Sequence, residues 1–193
     1  PATAKRENGE LYTEDYDVKC SVMCPCTPFW QNTILELCRN LVEKDHANAV
    51  YLDELGLQPP APCFDPGHGH PLGGGCHWVD GYRKMLEEIR KITAPRDIPI
   101  LVEAEAEPYM DLVDGFLIWG TRNSEDVPVL TAVYGGYTTY FSSRIQPADT
   151  VRNFLISTGR DFLWGAQLGW IYEFMLDDEH KEHLELLVRL TQL

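Results

Sequence analysis

The sequence predicts an α/β fold of parallel βαβ units, of the (β/α)8 barrel type and incomplete in this chain. Short β-branched and apolar runs alternate with segments whose apolar residues recur at helical spacing, as in parallel strands joined by crossover helices. Two of these runs, 48–53 and 98–103, end in an acidic residue, and strand ends carry the catalytic groups of many α/β enzymes. About six strands are predicted in 193 residues, whereas a closed barrel needs eight and about 250 residues.

The amino-terminal half opens with the polar residues 1–17, which we predict to be a loop or a frayed start. Thr27 and Pro28 form a helix-start signal. Residues 56–76 are rich in Pro and Gly and predict a long loop, which in a compact domain is usually functional. The other elements predicted in this half are strands over 18–24 and 48–53 and helices over 28–44 and 77–92.

The carboxyl-terminal half continues the alternation. Its predicted strands cover 98–103, 115–119, 128–133 and 162–168, and its predicted helices cover 108–113, 147–158 and 177–190. Six strands form either an open six-stranded sheet or the last three-quarters of a barrel. We favour the second and interpret 1–193 as the carboxyl-terminal part of one catalytic barrel domain. Because a truncated barrel would expose two sheet edges, we expect the missing strands to come from residues upstream of Pro1 or from another chain.

Charge and hydropathy limit the partners. The net charge of −14 disfavours nucleic acid, which binds clustered Lys and Arg, and it equally disfavours an anionic membrane surface. No apolar run reaches the length of a membrane-spanning helix. We therefore expect neither nucleic acid nor membrane as a partner. An acidic cleft suits neutral substrates, of which carbohydrates are one class, and charge alone does not choose among them.

Six cysteines are present, and their spacing is uninformative about metals. They follow a C-x3-C-x-C pattern and then occur singly, which is not the paired spacing of a zinc ribbon. We expect buried free thiols and no cofactor. The six are Cys20, Cys24, Cys26, Cys38, Cys63 and Cys76.

The two strand-end acids are the candidate catalytic pair. A retaining glycosidase uses two carboxyl groups about 5–5.5 Å apart, one as nucleophile and one as acid/base. Neighbouring parallel strands lie about 4.8 Å apart, so their ends can set this gap. We predict that Asp53 and Glu103 are these two carboxyl groups. Alternation along the strand places Tyr51 on the side of Asp53, and turns Val50 and Leu52 toward the covering helices.

Three further acids leave alternatives open. Glu105 and Glu107 compete with Glu103 for the acid/base role, and Glu107 is also a candidate substrate contact. Glu54 points away from Asp53 by alternation and is expected to be a solvated or capping acid. The simplest alternative is that the strand-end acids are only solvated.

The loop sequence H-G-H-P suggests contacts to substrate. We predict that His68 and His70 hydrogen-bond sugar hydroxyls. The alternatives are metal ligation, joined by His77 or Asp65, and a purely structural loop. The glycosidase chemistry needs no metal, and none is predicted.

Aromatic side chains near predicted strand ends are candidate platforms on which sugar rings stack. They are Trp119, Tyr134 and Trp170. The rival function is a non-catalytic carbohydrate-binding or structural barrel fragment, which would keep the aromatic residues but hold the two carboxyl groups too far apart for catalysis.

The sequence resembles the (β/α)8 glycoside hydrolases, most closely a little-characterised bacterial glycoside-hydrolase-like family. That family is similar in turn to the endo-α-N-acetylgalactosaminidases and more remotely to the α-amylase group. The resemblance covers about residues 20–170. Its motifs are V-Y-L-D-E-L-G at 50–56, C-F-D-P-G-H-G-H-P-L-G-G-G at 63–75, I-L-V-E-A-E-A-E-P-Y at 100–109 and G-A-Q-L-G-W at 165–170.

The resemblance implies roles for the strand-end acids. In these relatives an Asp at the end of strand four is the nucleophile and a Glu at the end of strand five is the acid/base. Asp53 and Glu103 match these positions if 18–24 is strand three. The strand-seven Asp of the α-amylase group has no match here, because that segment ends in Ala132-Val133-Tyr134.

Overall fold

A four-stranded parallel sheet with helices packed on one face forms the centre of the protein. The computed structural model describes residues 1–57, 59–118, 127–141, 150–169, 176 and 178–190. The strands are β1 Thr13–Asp15, β2 Lys19–Ser21, β3 Val50–Leu52, β4 Ile100–Glu103, β5 Gly115–Leu117 and β6 Thr139–Phe141. The helices are α1 Pro28–Glu43, α2 His77–Thr93, α3 Val129–Tyr134, α4 Val151–Leu163 and α5 Asp178–Leu190.

The sheet has the order β3-β4-β5-β6, and every neighbouring pair is parallel. This confirms the α/β class predicted from the alternating pattern. Beyond β6, Gln167 forms a single parallel bridge with Phe141. The described residues do not form a closed barrel.

The main core lies between this sheet and helices α1 and α2. Val50 and Leu52 face the helices as strand alternation predicts, and Val50 is fully buried beside Leu86 and Ile89 of α2. By the same alternation, Tyr51 and Asp53 belong to the opposite face of the sheet. Among the described helices, none has the length and apolarity needed to cross a bilayer.

The amino-terminal segment is packed, and the prediction of a frayed start is wrong. Ala2 and Ala4 are fully buried, and β1 and β2 form an antiparallel hairpin. Of the predicted strand 18–24 only β2 forms, and it belongs to the two-stranded sheet with β1 and not to the parallel sheet. Its residues are exposed, and an exposed strand cannot be the inner strand of a parallel sheet buried on both faces.

The strand predicted over 128–133 is also wrong, because this segment forms α3. Pro128 precedes the helix and accepts a hydrogen bond from the Ala132 N–H, while Gly135 ends the helix. Val129 and Val133 are exposed and gain nothing from a sheet. The sheet position belongs instead to β6, which the sequence did not predict and which packs Tyr140 into the core.

The last predicted strand, 162–168, is wrong as well. Helix α4 continues through Leu163 and ends at a turn in which Gly165 has φ 81°. Only the bridge at Gln167 remains of that strand. The helix predicted over 147–158 is confirmed in its overlap with α4; it begins at Val151 behind Thr150, whose side chain accepts the Asn153 N–H. Residues 147–149 lie outside the described residues.

Glycine-to-alanine substitution should have opposite effects on stability at two glycines that lie inside helices. A Cβ added to Gly81 of α2 would lie 2.9 Å from the carbonyl carbon of Pro25, whereas one added to Gly159 of α4 meets nothing within 4 Å. We expect Gly81→Ala to lower the free energy of unfolding by about 1–3 kcal/mol, because backbone atoms must move apart. Gly159→Ala should raise it by about 0.5–1 kcal/mol, since alanine is the better helix former. Urea unfolding of both variants measures this difference, and equal effects would contradict the packing of α2 on Pro25.

Candidate functional site

The strand register brings the two predicted catalytic acids to the same level. The last paired residues of β3 and β4 are Leu52 and Val102, so Asp53 and Glu103 come next on neighbouring strands about 4.8 Å apart. Glu103, next to the core residue Val102 in β4, faces away from the helices, and Asp53 is near enough for its charge to act on Glu103. Glu103 is 3% exposed, whereas Asp53 is exposed to solvent. The pair therefore combines a buried carboxyl group with an accessible one.

The turn after β3 holds the Glu103 side chain in place. Glu54 has a left-handed backbone (φ 64°), which directs its N–H at Glu103 Oε2 over 2.7 Å. The Glu54 carboxylate in turn accepts a hydrogen bond of 2.8 Å from the Tyr16 hydroxyl of the amino-terminal hairpin. Glu54 was predicted to be solvated or capping, and its backbone contact to Glu103 could not be read from the sequence.

Gly56 allows this turn to approach the end of β4. Its N–H donates to the Glu103 carbonyl oxygen over 3.0 Å. A Cβ at this position would lie 2.4 Å from the carbonyl oxygens of both Glu103 and Ala104. Since real Cβ atoms do not come this close to backbone oxygens, the turn requires glycine here.

Burial and a neighbouring negative charge change the acidity of Glu103. Desolvation is the largest cause that raises the pKa of Glu103, and the charge of Asp53 and a side-chain hydrogen bond with Asp53 raise it further. The Glu54 N–H lowers it in part. Glu103 therefore keeps its proton to higher pH than a solvated glutamic acid, as a general acid must.

Tyr51 stands beside the acid pair on the same face of the sheet. Its hydroxyl is buried, and no polar atom of the described residues lies at a hydrogen-bonding distance and angle from it. Burial is the main cause that raises the pKa of Tyr51, and the charges of Glu103 and Asp53 add to it. A buried hydroxyl without a partner is costly, so this group is suited to meet a polar ligand.

The other candidate acids lie on the exposed segment that follows β4. Ala104 has φ 57°, which ends the extended strand, so alternation does not carry over to Glu105. Glu105 and Glu107 are exposed. Glu107 accepts a hydrogen bond from the Tyr134 hydroxyl of α3, so two predicted substrate contacts lie together. The predicted platforms Trp119 and Trp170 lie outside the described residues.

His68 and His70 are engaged inside the protein. His68 is 5% exposed, and its ring nitrogens contact Cys63 Sγ and the Pro1 carbonyl oxygen. The ring nitrogens of His70 contact Cys24 Sγ and the carbonyl oxygen of the next residue. These contacts use every ring nitrogen of the two histidines, which argues against the predicted hydrogen bonds to sugar hydroxyls.

Comparison with known families assigns this chain. A family model described as "Domain of unknown function (DUF6259)" matches residues 1–144. The chain belongs to this family. The match includes β1 to β6 and therefore contains both acids of the candidate site, whereas α4 and α5 lie beyond it.

Two curated relatives carry names that bear on function. A "Putative glycoside hydrolase" of Bacteroides thetaiotaomicron is 31% identical over 202 residues, which cover 98% of this chain and 29% of that protein. A Monosiga brevicollis protein of similar name is 31% identical over 156 residues, which cover 76% of this chain and 13% of that protein. The chain thus spans less than a third of either relative. The names support the resemblance to glycoside hydrolases, while a relation to endo-α-N-acetylgalactosaminidases stays a prediction.

Two solved structures from Thermotoga maritima share part of the backbone arrangement. One is phospho-2-dehydro-3-deoxyheptonate aldolase, with a TM-score of 0.44 and 20% identity, over 87% of this chain and 48% of that one. The other is a truncated 3-deoxy-D-arabino-heptulosonate 7-phosphate synthase, with a TM-score of 0.43 and 19% identity, over 86% and 58%.

Replacing Glu103 should stabilise the DUF6259 chain at alkaline pH. Because the folded-state pKa of Glu103 is raised above its ordinary 4.5, the stability linked to its proton is complete below that value and is lost as pH rises through the raised pKa. Glu103→Gln stays neutral, so we expect its free energy of unfolding to exceed the wild type's at pH 8 by on the order of 1 kcal/mol. The two proteins should be nearly equal at pH 4. Denaturant unfolding at both pH values tests this, and a difference independent of pH would contradict it.

Gly56 offers a test of the turn that holds Glu103. Gly56→Ala should destabilise the protein by about 2 kcal/mol or more, because the methyl group meets two carbonyl oxygens. Gly74→Ala is the matched control in the same loop, since a Cβ there meets nothing within 4 Å. Thermal unfolding should separate the two variants clearly. Similar melting temperatures would show that the turn does not pack on β4 in this way.

Proposed function

We propose that this chain carries the acid pair of a retaining glycoside hydrolase that acts on an oligo- or polysaccharide. The observation that carries the proposal is the placement of Asp53 and Glu103 at one level on neighbouring parallel strands, with the pKa of Glu103 raised by burial and by Asp53. The names of the two relatives support a hydrolase of this class. The finer assignments, the retaining mechanism and the residue roles, are our proposal.

In the proposed double displacement, the Asp53 carboxylate attacks the anomeric carbon of the sugar. Glu103 donates its proton to the leaving glycosidic oxygen, and a glycosyl ester on Asp53 results. The ionised Glu103 then takes a proton from water, whose oxygen attacks the anomeric carbon and releases Asp53. In the ligand-free protein the two side chains lie close enough for the charge of Asp53 to raise the pKa of Glu103. The sugar would bind between them.

Nearby groups supply candidate substrate contacts. The buried Tyr51 hydroxyl, which lacks a partner among the described residues, would hydrogen-bond a sugar hydroxyl beside the reacting carbon. Glu107, fixed by Tyr134, would contact the substrate on the exposed side of the site. The stacking roles of Trp119 and Trp170 remain predictions.

We also propose that the sheet belongs to a (β/α)8 barrel completed by other strands. Within the described residues the outer edge of β3 has no strand partner, and an unpaired edge is normally covered. A cleft of about 310 Å³ lies there, lined by apolar side chains of α1 and β3 together with Asp53. Further strands packed against this edge, from the same polypeptide or another chain, would enclose the acid pair.

Leaving-group dependence separates the two proposed roles. Glu103→Gln should lower kcat/KM about 10²–10⁴-fold on a glycoside with a poor leaving group, because that step needs the proton. On a dinitrophenyl glycoside, whose leaving group needs no proton, formation of the glycosyl ester should be almost unaffected. Asp53→Asn should abolish turnover of both substrates, since no nucleophile remains. The measurement is steady-state and burst kinetics on α- and β-linked aryl glycosides with the natural polypeptide that contains this chain.

Glu105→Gln is the matched control, because Glu105 is the neighbouring exposed acid on the same segment. It should change kcat/KM less than threefold on either glycoside. The proposed roles would be wrong if Glu105→Gln reproduced the leaving-group dependence expected of Glu103→Gln. They would also be wrong if Asp53→Asn kept wild-type turnover.

A further inference from the structure

Four side chains capable of binding a metal converge away from the acid pair. Cys24, Cys63, His68 and His70 each offer one ligand atom, and these four atoms lie within 4.8 Å of one another. Cys24 and Cys63 are fully buried, and His68 is nearly so. The sequence spacing does not indicate these four residues as a set, because Cys24 is far from the C-x4-H-x-H segment that contains the other three.

The contacts within this cluster match two sulfur–nitrogen edges of a tetrahedron. Cys24 Sγ lies 3.3 Å from His70 Nε2, and Cys63 Sγ lies 3.3 Å from His68 Nδ1. Zinc bonds of about 2.3 Å to sulfur and about 2.0 Å to nitrogen would place such atoms roughly 3.5 Å apart. The four atoms therefore need only small shifts to surround one ion.

The hydrogen bonds of the two imidazoles to backbone carbonyls turn the other ring nitrogen of each toward the two sulfurs. His68 Nε2 lies 2.9 Å from the Pro1 carbonyl oxygen and His70 Nδ1 lies 2.7 Å from the Pro71 carbonyl oxygen. Each of these nitrogens must carry the proton to donate to a carbonyl, so the unprotonated nitrogen of each ring is the one beside a sulfur. Metal-bound histidines show this second hydrogen bond almost always.

Hydrogen bonds and an ion pair hold the backbone around the cluster in place. Cys63 and Gly73 exchange two hydrogen bonds of 3.1 and 2.8 Å, which close the loop between them. Asp65 accepts the Gly67 N–H and forms an ion pair of 2.8 Å with Lys5. The loop thus presents its three ligands from a fixed frame, and Cys24 reaches them from the segment after β2.

We propose that Cys24, Cys63, His68 and His70 bind one structural zinc ion. Binding releases the two thiol protons to solvent, and the two thiolates balance the charge of Zn²⁺. Four protein ligands fill the tetrahedron and leave no position for water, so this ion does not activate a nucleophile. Its role is to join the amino-terminal segment and the 63–73 loop more firmly than the Lys5–Asp65 ion pair, the Phe64 N–H bond to the Lys5 carbonyl and a small apolar cluster around Trp78 do alone.

The proposal is tested on the purified natural polypeptide under reducing conditions. Elemental analysis before and after Cys63→Ser should show the loss of one equivalent of zinc per chain, whatever other metal the natural polypeptide holds. After chelation, titration with Co²⁺ should give the visible bands of a tetrahedral site and thiolate-to-cobalt charge transfer, saturating at one equivalent. Removal of the ion should lower the melting temperature by on the order of 5 °C or more, restored by added zinc.

Cys76→Ser and Cys20→Ser are the matched controls, because both thiols are exposed and lie outside the cluster. They should keep the full zinc content and the cobalt spectrum, whereas His68→Ala should lose both. If a cluster variant fails to fold, the wild-type zinc content and cobalt titration decide the matter. The proposal is overturned if the wild-type chain binds cobalt without thiolate charge transfer, or if Cys63→Ser retains its zinc. A Cys24–Cys63 disulfide found by mass spectrometry in protein purified under reducing conditions would overturn the proposal as well.

Discussion

The parallel register between β3 and β4 is the constraint on which the candidate site depends. The pairing of Leu52 with Val102 forces the next residue of each strand to the same level on the same face. A slip of one residue would turn one of the two acids into the helix-covered core. That slip is opposed by Val50, Ile100 and Val102, which are buried against α1 and α2. The hydrophobic core thus fixes the geometry of the two carboxyl groups without touching them.

The segment between β3 and α2 supports the site in two places. Its first residues turn back over β4, where the Glu54 N–H binds the Glu103 carboxylate and Gly56 binds the Glu103 carbonyl. Its later residues carry three of the four proposed zinc ligands. The amino-terminal segment meets both places, through Tyr16 at Glu54 and through the Pro1 carbonyl at His68. A metal that stiffens the later part therefore also limits the motion of the turn beside Glu103.

Sequence patterns predicted the elements whose signals are local and failed where tertiary packing decides. Helices α1 and α2 have clear periodicity, and the apolar runs that end in Asp53 and Glu103 identified β3 and β4. The run at 128–133 resembles a strand, yet Pro128 precedes a helix there and Gly135 ends it. Its Val129 and Val133 are exposed, and only Leu130 packs on the core. The three residues of β6 are too short to signal a strand, and only their contact with β5 reveals it.

Residues that depend on distant contacts were equally hidden. Alternation placed Tyr51 with Asp53, but no pattern indicates that a left-handed Glu54 would turn its N–H toward Glu103. Sugar binding was predicted for the histidines of the H-G-H-P loop because the sequence does not show which protein atoms their ring nitrogens contact. Cys24 comes from a separate segment, so its proximity to His70 exists only in the folded chain.

The most direct test of the account is the titration of Glu103 followed by carbon-13 NMR of its side-chain carboxyl, in the wild type and in Asp53→Asn. We expect the wild-type pKa to lie above the ordinary value, because of burial and of the Asp53 charge. It should fall when Asp53 becomes neutral. An identical pKa of Glu103 in both proteins would show that the two carboxyl groups do not face one another, and would contradict the shared site.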